Sequence, residues 1–434
     1  MSSRLDELAR ATPATRDRFV DFLRAALIVA VVFGHWFISI NHLERDIYST
    51  TSAVGLTSGM WLGTWLFQVM PVFFFVGGFS NLVTYDAFRR RGEPTSAFRR
   101  SRLERLLRPS LVFLGSWLIV QVALHLFDVG GAAGPRLVGE TRLLRGMYRP
   151  AATLPFGPLW ILGFYIVVVC IAPATIWLHR RFRWWVPPVM ALGAIVVDFV
   201  GFGADLHLLR YLNVAFVLLL PHQLGHFYAD GTVGRLPRRV FWAMVAVWLG
   251  GLVLLTTSWV FQAFGPASSD WFGGIGHYPK SLLGTDVEEV SNAYPPTVCF
   301  LLADIWSIGA VMLLRSTLTR WLERPRPWKA TIFLNGVIMT LFLWHMTRAL
   351  HRAARPVAVG RRAPAGQRGG VVAAPPRVHR ALGAGACRHR GARRTLRTAP
   401  RAFPSNVKPR STFKSRGPGC RFLSGDSNTR RATA

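Results

Sequence analysis

The sequence predicts an all-α polytopic membrane helix bundle of about nine spans, with its N-terminus in the cytoplasm. Three observations predict it. The chain of 434 residues is 51% hydrophobic, with 16 Trp and 30 Phe. Apolar runs of about 20 residues, long enough to cross a hydrocarbon core as helix, recur along it. The segments between those runs alternate between basic and non-basic, as short loops on opposite faces of a membrane do.

Residues 1–18 are read as a cytoplasmic N-terminal segment, and residues 19–350 as the membrane domain. Spans are expected at about 19–41, 60–85, 110–127, 158–178, 184–202, 208–229, 240–262, 296–314 and 328–350. No alternation of apolar and polar residues points to a barrel. The first span is too long for the core of a cleavable signal, and no small-residue cleavage site follows it. Cys170, Cys299, Cys387 and Cys420 lack the paired spacing of a disulfide framework or a zinc site.

Orientation follows from the loops. The 86–109 segment carries eight Arg, 179–183 reads HRRFR, 230–239 has three Arg, and 315–329 reads RSTLTRWLERPRPWK. These stay inside under the positive-inside rule. The segments 42–59, 203–207 and 263–295 are poor in basic residues and lie outside; 128–157 has four Arg but is outside by count. The expected location is the plasma (inner) membrane.

The net charge of +31 invites a nucleic-acid reading, but its distribution opposes one. Residues 351–434 alone carry +19. Arg, Ala, Gly and Pro, whose codons are the richest in GC, make up 51 of those 84 residues. No helical period runs through them, and nine spans would leave this charge on the outer face. The expectation is a frameshift near residue 348 that replaces a final span. The alternative is a genuine disordered, Arg-rich tail that binds anionic lipid or nucleic acid. For the membrane domain, the expected partners are lipids and small molecules, with no nucleic acid.

The first span carries its own question, because RAALIVAVVFGH encloses ten apolar or Gly residues between Arg24 and His35. Eleven residues are three turns plus about 20°, so both side chains share one helix face about 16 Å apart. Arg24 then sits just inside the cytoplasmic boundary, with Asp21 one turn earlier able to pair with it. His35 falls in the outer half. Each alone has an ordinary explanation: a snorkelling Arg and a His bonded between helices. Together they favour a polar cavity, since ionisable groups in a span are costly unless they face one.

Six stretches in order carry a resemblance. RFVDFLRAALIVAVVFGHWF looks like the first span of the integral-membrane acyltransferase 3 family, with its Arg-x10-His signature. PVFFFVGGFSNLV resembles the second span, FRRSRLERLLRP the Arg-rich lead into the third, and PLWILGFYIVVVCIAP the span that opens on Leu-Trp. SNAYPPT and MTLFLWHMT resemble an actinobacterial-type subgroup. The match runs from about residue 16 to 348, and the family usually has ten spans.

The resemblance implies transfer of an acyl group, acetyl by default, from cytoplasmic acyl-CoA to a hydroxyl of a carbohydrate or lipid of the cell envelope. His35 is then the catalytic base, with Arg24 and its partner Asp21 beside it. Coenzyme A carries a diphosphate and a ribose phosphate, which guanidinium groups bind bidentately. Arg99, Arg102, Arg105 and Arg108 recur every three residues and are the candidates; the same spacing also suits an anchor on lipid headgroups. His345, at the depth of His35 in a parallel span, is placed with Trp160 and Asn292 on the acceptor side. No metal is expected: His222 and His226 have an i, i+4 spacing that can bind zinc, but no third ligand is evident. Asp198 and Asp304 are single acids able to serve a cavity or pair with an Arg. Asn335 reads as interhelix glue, and Gly77 and Gly78 as a close helix approach.

Two other readings remain open: a secondary transporter or flippase of an envelope precursor, and an inactive, truncated acyltransferase. Transporters often show internal repeats, and no convincing repeat is present.

Overall fold

The computed structural model describes residues 6–360, apart from 8, 14, 15, 45, 46, 53, 55, 56, 58, 127–158 and 284–291. The tail from residue 361 onwards and the 128–157 loop lie outside the described residues. Nine long helices stand among those described: α1 Arg18–Ile38, α2 Met70–Arg90, α3 Thr95–Leu126, α4 Leu159–Phe182, α5 Val186–Gly203, α6 Asn213–Ala229, α7 Arg238–Leu255, α8 Val298–Leu322 and α9 Pro325–Gly360. Each coincides with an expected span.

Among the described residues seven segments are long and apolar enough to cross a membrane, against nine expected spans, and α3 lies in none of them. One of them, the 43-residue Ile161–Gly203, contains both α4 and α5. Arg183, in the left-handed region at φ 38°, separates the two. Outward-facing Val189, Leu192, Trp242 and Val247 are exposed on α5 and α7. An apolar surface of that kind suits lipid rather than water.

The helix ends follow local chemistry. Asp17 precedes α1 and accepts from the Val20 amide at 3.1 Å, satisfying one of the free N–H groups of a helix start. Pro71 opens α2 and breaks the expected 60–85 span, leaving Trp61–Leu66 as a separate short helix. The Arg-rich 86–109 segment is helix from Thr95, so only residues 91–94 link α2 to α3. α7 stops at Leu255, short of the expected 262. α9 continues to Gly360, past the boundary at 350. The outer loop after α1 contains a feature the sequence reading lacked. Strands β1 (Ser39–Glu44) and β2 (Ile47–Ser52) pair antiparallel, with Ser39 opposite Ser52 and Glu44 opposite Ile47.

Helix packing rests on small residues. A Cβ built on Gly78 would stand 1.9 Å from the His222 carbonyl oxygen, and one on Gly225 would stand 2.1 Å from that of Phe75. α2 and α6 therefore meet backbone to backbone, the close approach that small residues permit between membrane helices. Asn335 of α9 donates to the Asp21 carbonyl of α1 at 2.8 Å, as interhelix glue.

The basic segments gather at one end of the bundle. Arg18 donates to the Leu322 carbonyl, Arg180 pairs with Asp86, His179 meets Asp230, and Arg315 donates to the Gly234 carbonyl. The described part of the 263–295 segment packs at the opposite end. There Trp65 donates to the Lys280 carbonyl at 2.6 Å. Asp198 accepts from Asn213, Tyr278 and the Val298 amide at 2.7, 2.8 and 2.7 Å, fastening α5, α6 and the start of α8. Burial and the Asp198 carboxylate push the Tyr278 phenol well above its ordinary value, which keeps it a donor. The clustering of the described basic segments at one end agrees with the grouping of loops expected from the positive-inside rule.

Candidate active site

The site begins at the basic end, where α1, α2, α3 and α4 converge. Arg24 donates to the Ser80 hydroxyl of α2 at 2.7 Å and approaches the Asp21 carboxylate at 3.5 Å. Asp21 is buried and also pairs with Arg16. The expected i, i+3 pairing of Asp21 with Arg24 is present. Arg102, Arg105 and Tyr165 are electrostatic neighbours of Arg24.

The four-Arg ladder divides. A spacing of three falls about 60° short of a full turn, so Arg99 and Arg108 point to opposite sides of α3. Both are exposed, as is Arg105. Arg102 turns inward and donates to Asn81 Oδ1 at 2.9 Å and to the Tyr165 hydroxyl at 3.3 Å. Of the four, Arg102 turns inward, and Arg102 and Arg105 are the two that act electrostatically on Arg24.

A buried polar network continues from Arg102. The Asn81 amide lies 3.2 Å from His222 Nε2, and His226 Nδ1 donates to the Gly78 carbonyl at 3.0 Å. Thr175 meets His226 Nε2 at 3.3 Å. Gln223 contacts His179 Nδ1 at 2.8 Å, while His179 Nε2 reaches Asp230 at 3.2 Å. His222 and His226 thus serve hydrogen bonds between helices. Among the described residues no group of three or more His, Cys, Asp or Glu is arranged to hold a metal ion. His179 and Asp230 also line a cleft of about 370 Å³ at the basic end, with Asp86, Arg90, Arg180 and Arg183.

At the other end of the shared α1 face, His35 meets His345 of α9. His35 Nδ1 lies 3.0 Å from His345 Nε2, with the ring centroids 5.1 Å apart and 19° between their planes. The Trp36 indole donates to the His345 carbonyl at 3.1 Å. The parallel depth of the two histidines, read from their positions in spans one and nine, becomes a direct contact.

Between the two polar groups the structure departs from the expectation of one shared polar cavity. Ile28 and Val32 occupy the intervening turns of α1 and are buried with Phe113, Trp117, Leu162, Phe342 and Leu343. Arg24 and His35 therefore bracket an apolar layer. The helical period puts Ile28 and Val32 on the same stripe as both polar ends.

The remaining candidates lie elsewhere. Asn292 is fully buried in the outer loop. It donates to the Pro279 and Ser281 carbonyls at 2.7 and 2.8 Å and accepts from Thr297 at 2.7 Å. With those bonds made inside the loop, Asn292 holds the chain together ahead of α8. The side chain of Trp160 lies outside the described residues. Asp198 is engaged at the outer end. Asp304 is fully buried in α8, and neither of its oxygens has a hydrogen-bond partner among the described residues. Ser80, Asn81 and Tyr165 lie outside the expected site residues; the polar pair after the glycines in FFFVGGFSN is the local signal for Ser80 and Asn81, and Tyr165 has none.

The comparisons with known proteins fit this arrangement. The model of the acyltransferase domain family (Acyl_transf_3) matches residues 17–353, which takes in every helix described above up to the last turns of α9. None of the curated proteins and none of the solved structures compared with the chain matches it. With the family's domain covering most of its length, the chain belongs to the acyltransferase 3 family, and it is a multi-pass membrane acyltransferase.

Proposed function

We propose that this acyltransferase takes an acyl group from cytoplasmic acyl-CoA and delivers it to a hydroxyl of a carbohydrate or lipid at the outer part of the plasma membrane. The observation that carries the reading is the distribution of chemistry along α1. A cationic cluster of Arg24, Arg102 and Arg105 stands at the basic end. A histidine pair stands about 16 Å further along the same face.

Each part has a role that its chemistry supports. The guanidinium groups bind the phosphates of coenzyme A; Asp21 and Ser80 hold Arg24, and Asn81 and Tyr165 hold Arg102. Arg99 and Arg108, on the sides of α3, meet lipid headgroups or the outer parts of the donor. His35 removes the proton from the acceptor hydroxyl as its oxygen attacks the thioester carbonyl. The C–S bond then breaks, and the thiolate leaves and takes up a proton. The extended pantetheine arm is long enough to run from the cations to His35, and its passage requires the packed layer of Ile28 and Val32 to part around it. An apolar layer there shields the thioester from water on its way to the acceptor.

The test is transfer of label from radiolabelled acetyl-CoA into the glycan and lipid fractions of membranes carrying the protein. His35→Ala is expected to lower transfer by about 10²- to 10⁴-fold, as loss of a general base does. Arg24→Ala is expected to act mainly through the donor KM. Transfer unchanged in both variants overturns the assignment. Lost labelling with continued export of the acceptor favours the transporter reading instead.

A further inference from the structure

We propose that His345 is a positioning residue that fixes the tautomer of His35 and so determines which ring nitrogen acts as the base. The inference rests on the reading of His35 as base and adds the identity of the reacting atom.

The assignment follows from counting protons. His345 Nδ1 lies 2.7 Å from the Phe342 carbonyl oxygen. A carbonyl only accepts, so the proton of that bond belongs to His345 Nδ1. A neutral imidazole carries one N–H, so His345 Nε2 presents a lone pair. That lone pair lies 3.0 Å from His35 Nδ1, and the bond between them needs one proton. The proton must come from His35 Nδ1. The lone pair of His35 is then on Nε2, the ring nitrogen not engaged by His345. Nε2 is the atom left to accept a proton from a hydroxyl.

The surrounding structure holds this chain of bonds in place. Phe342 and His345 are one turn apart on α9, so the acceptor carbonyl is fixed by the helix that carries the imidazole. Phe342 itself is buried in the apolar layer beside Val32. The Trp36 indole, one residue from His35, donates to the His345 carbonyl and fastens α1 to α9 at this level. The two ring planes lie within 19° of each other, which suits an in-plane N–H···N bond between them.

The arrangement also acts during the reaction. When His35 Nε2 takes the hydroxyl proton, the ring becomes an imidazolium. Its Nδ1–H bond to His345 Nε2 is then charge-assisted and stronger than in the resting state. A bond that strengthens as the proton moves lowers the barrier rather than merely binding substrate. His345 does this as a neutral acceptor, without placing a buried carboxylate in the outer half of the membrane, where an unpaired charge is costly.

The experiment measures label transfer from acetyl-CoA by four proteins in the same membranes: wild type, His345→Phe, His345→Gln and His35→Ala. His345→Phe keeps a ring against His35 but offers no acceptor. It is expected to lower kcat by about 10- to 100-fold with little change in the KM for acetyl-CoA. His345→Gln, whose amide oxygen can accept from His35 Nδ1, is expected to recover a substantial part of that loss. A loss that Gln does not recover, or that falls on KM instead of kcat, assigns His345 a packing role and overturns the proposal. Full kcat in His345→Phe overturns it too, even where His35→Ala is inactive. Full activity in His35→Ala removes the base reading itself. The ¹⁵N spectrum of the detergent-solubilised full chain, with histidines assigned by comparison with His35→Ala, reads the tautomer without any assay. A protonated Nδ1 on His35 that shifts to Nε2 in His345→Phe supports the proposal, and a protonated Nε2 in the wild type contradicts it.

Discussion

Arg102 donates to Asn81 at 2.9 Å, tying the one inward-turned arginine of α3 to the helix that packs backbone to backbone against α6. The same Asn81 turns its amide to the buried His222. One side chain thus orients a cation beside Arg24 and satisfies a ring nitrogen that water does not reach.

This relationship separates Arg102 from its neighbours in the Arg-rich stretch. Arg102→Gln is expected to raise the KM for acetyl-CoA by about 10- to 100-fold, since a hydrogen bond to a charged group contributes about 1.5–3 kcal/mol. Arg99→Gln, at an exposed position, is expected to change it less than about fivefold. Initial rates across a range of acetyl-CoA concentrations check both. Equal effects from the two substitutions contradict the inward placement of Arg102.

Gly78 has no room for a methyl group, because a Cβ there meets backbone rather than the end of a flexible side chain. Gly78→Ala is therefore expected to force α2 and α6 apart and to destabilise the bundle by about 1–3 kcal/mol or more. Gly115, with nothing within 4 Å of its Cβ position, is the control, and Gly115→Ala is expected to be tolerated. Thermal unfolding of the two detergent-solubilised variants makes the comparison.

Val32 lies in the apolar layer between the cations and His35, on the proposed route of the donor arm. Val32→Trp is expected to fill that route and abolish label transfer while leaving coenzyme A bound at the basic end. Equilibrium binding of labelled coenzyme A, measured beside transfer, separates the two effects. Full transfer in this variant shows that the donor takes another path.

What the sequence made legible follows the range of the forces involved. The spans were readable because burial in hydrocarbon acts on every residue of a run. The alignment of Arg24 with His35 and the Asp21 pair were readable because a single helix fixes them. His345 was placed at the right depth by counting along a parallel span. The bonds from Arg102 to Asn81 and from Asn81 to His222 join α2, α3 and α6, and nothing local to any one of them records the meeting. The i, i+4 pair His222 and His226 shows the same limit: a spacing suited to zinc serves hydrogen bonds across α2 and α4. Asn292, read as an acceptor contact, is engaged inside its own loop, because its partners stand 13 and 11 residues earlier and residue type alone does not reveal the meeting. The break between Trp61–Leu66 and α2 had a visible cause in Pro71, which the continuity of the apolar run concealed.

The most direct measurement of the central claim compares sealed membrane vesicles of the two orientations supplied with labelled acetyl-CoA from outside. Inverted vesicles, which expose the arginine-rich end, are expected to transfer label in the wild type and to lose it in His35→Ala. Right-side-out vesicles are expected to transfer none. Labelling only from the right-side-out face, or labelling from the inverted face that persists without the His35 imidazole, contradicts the account.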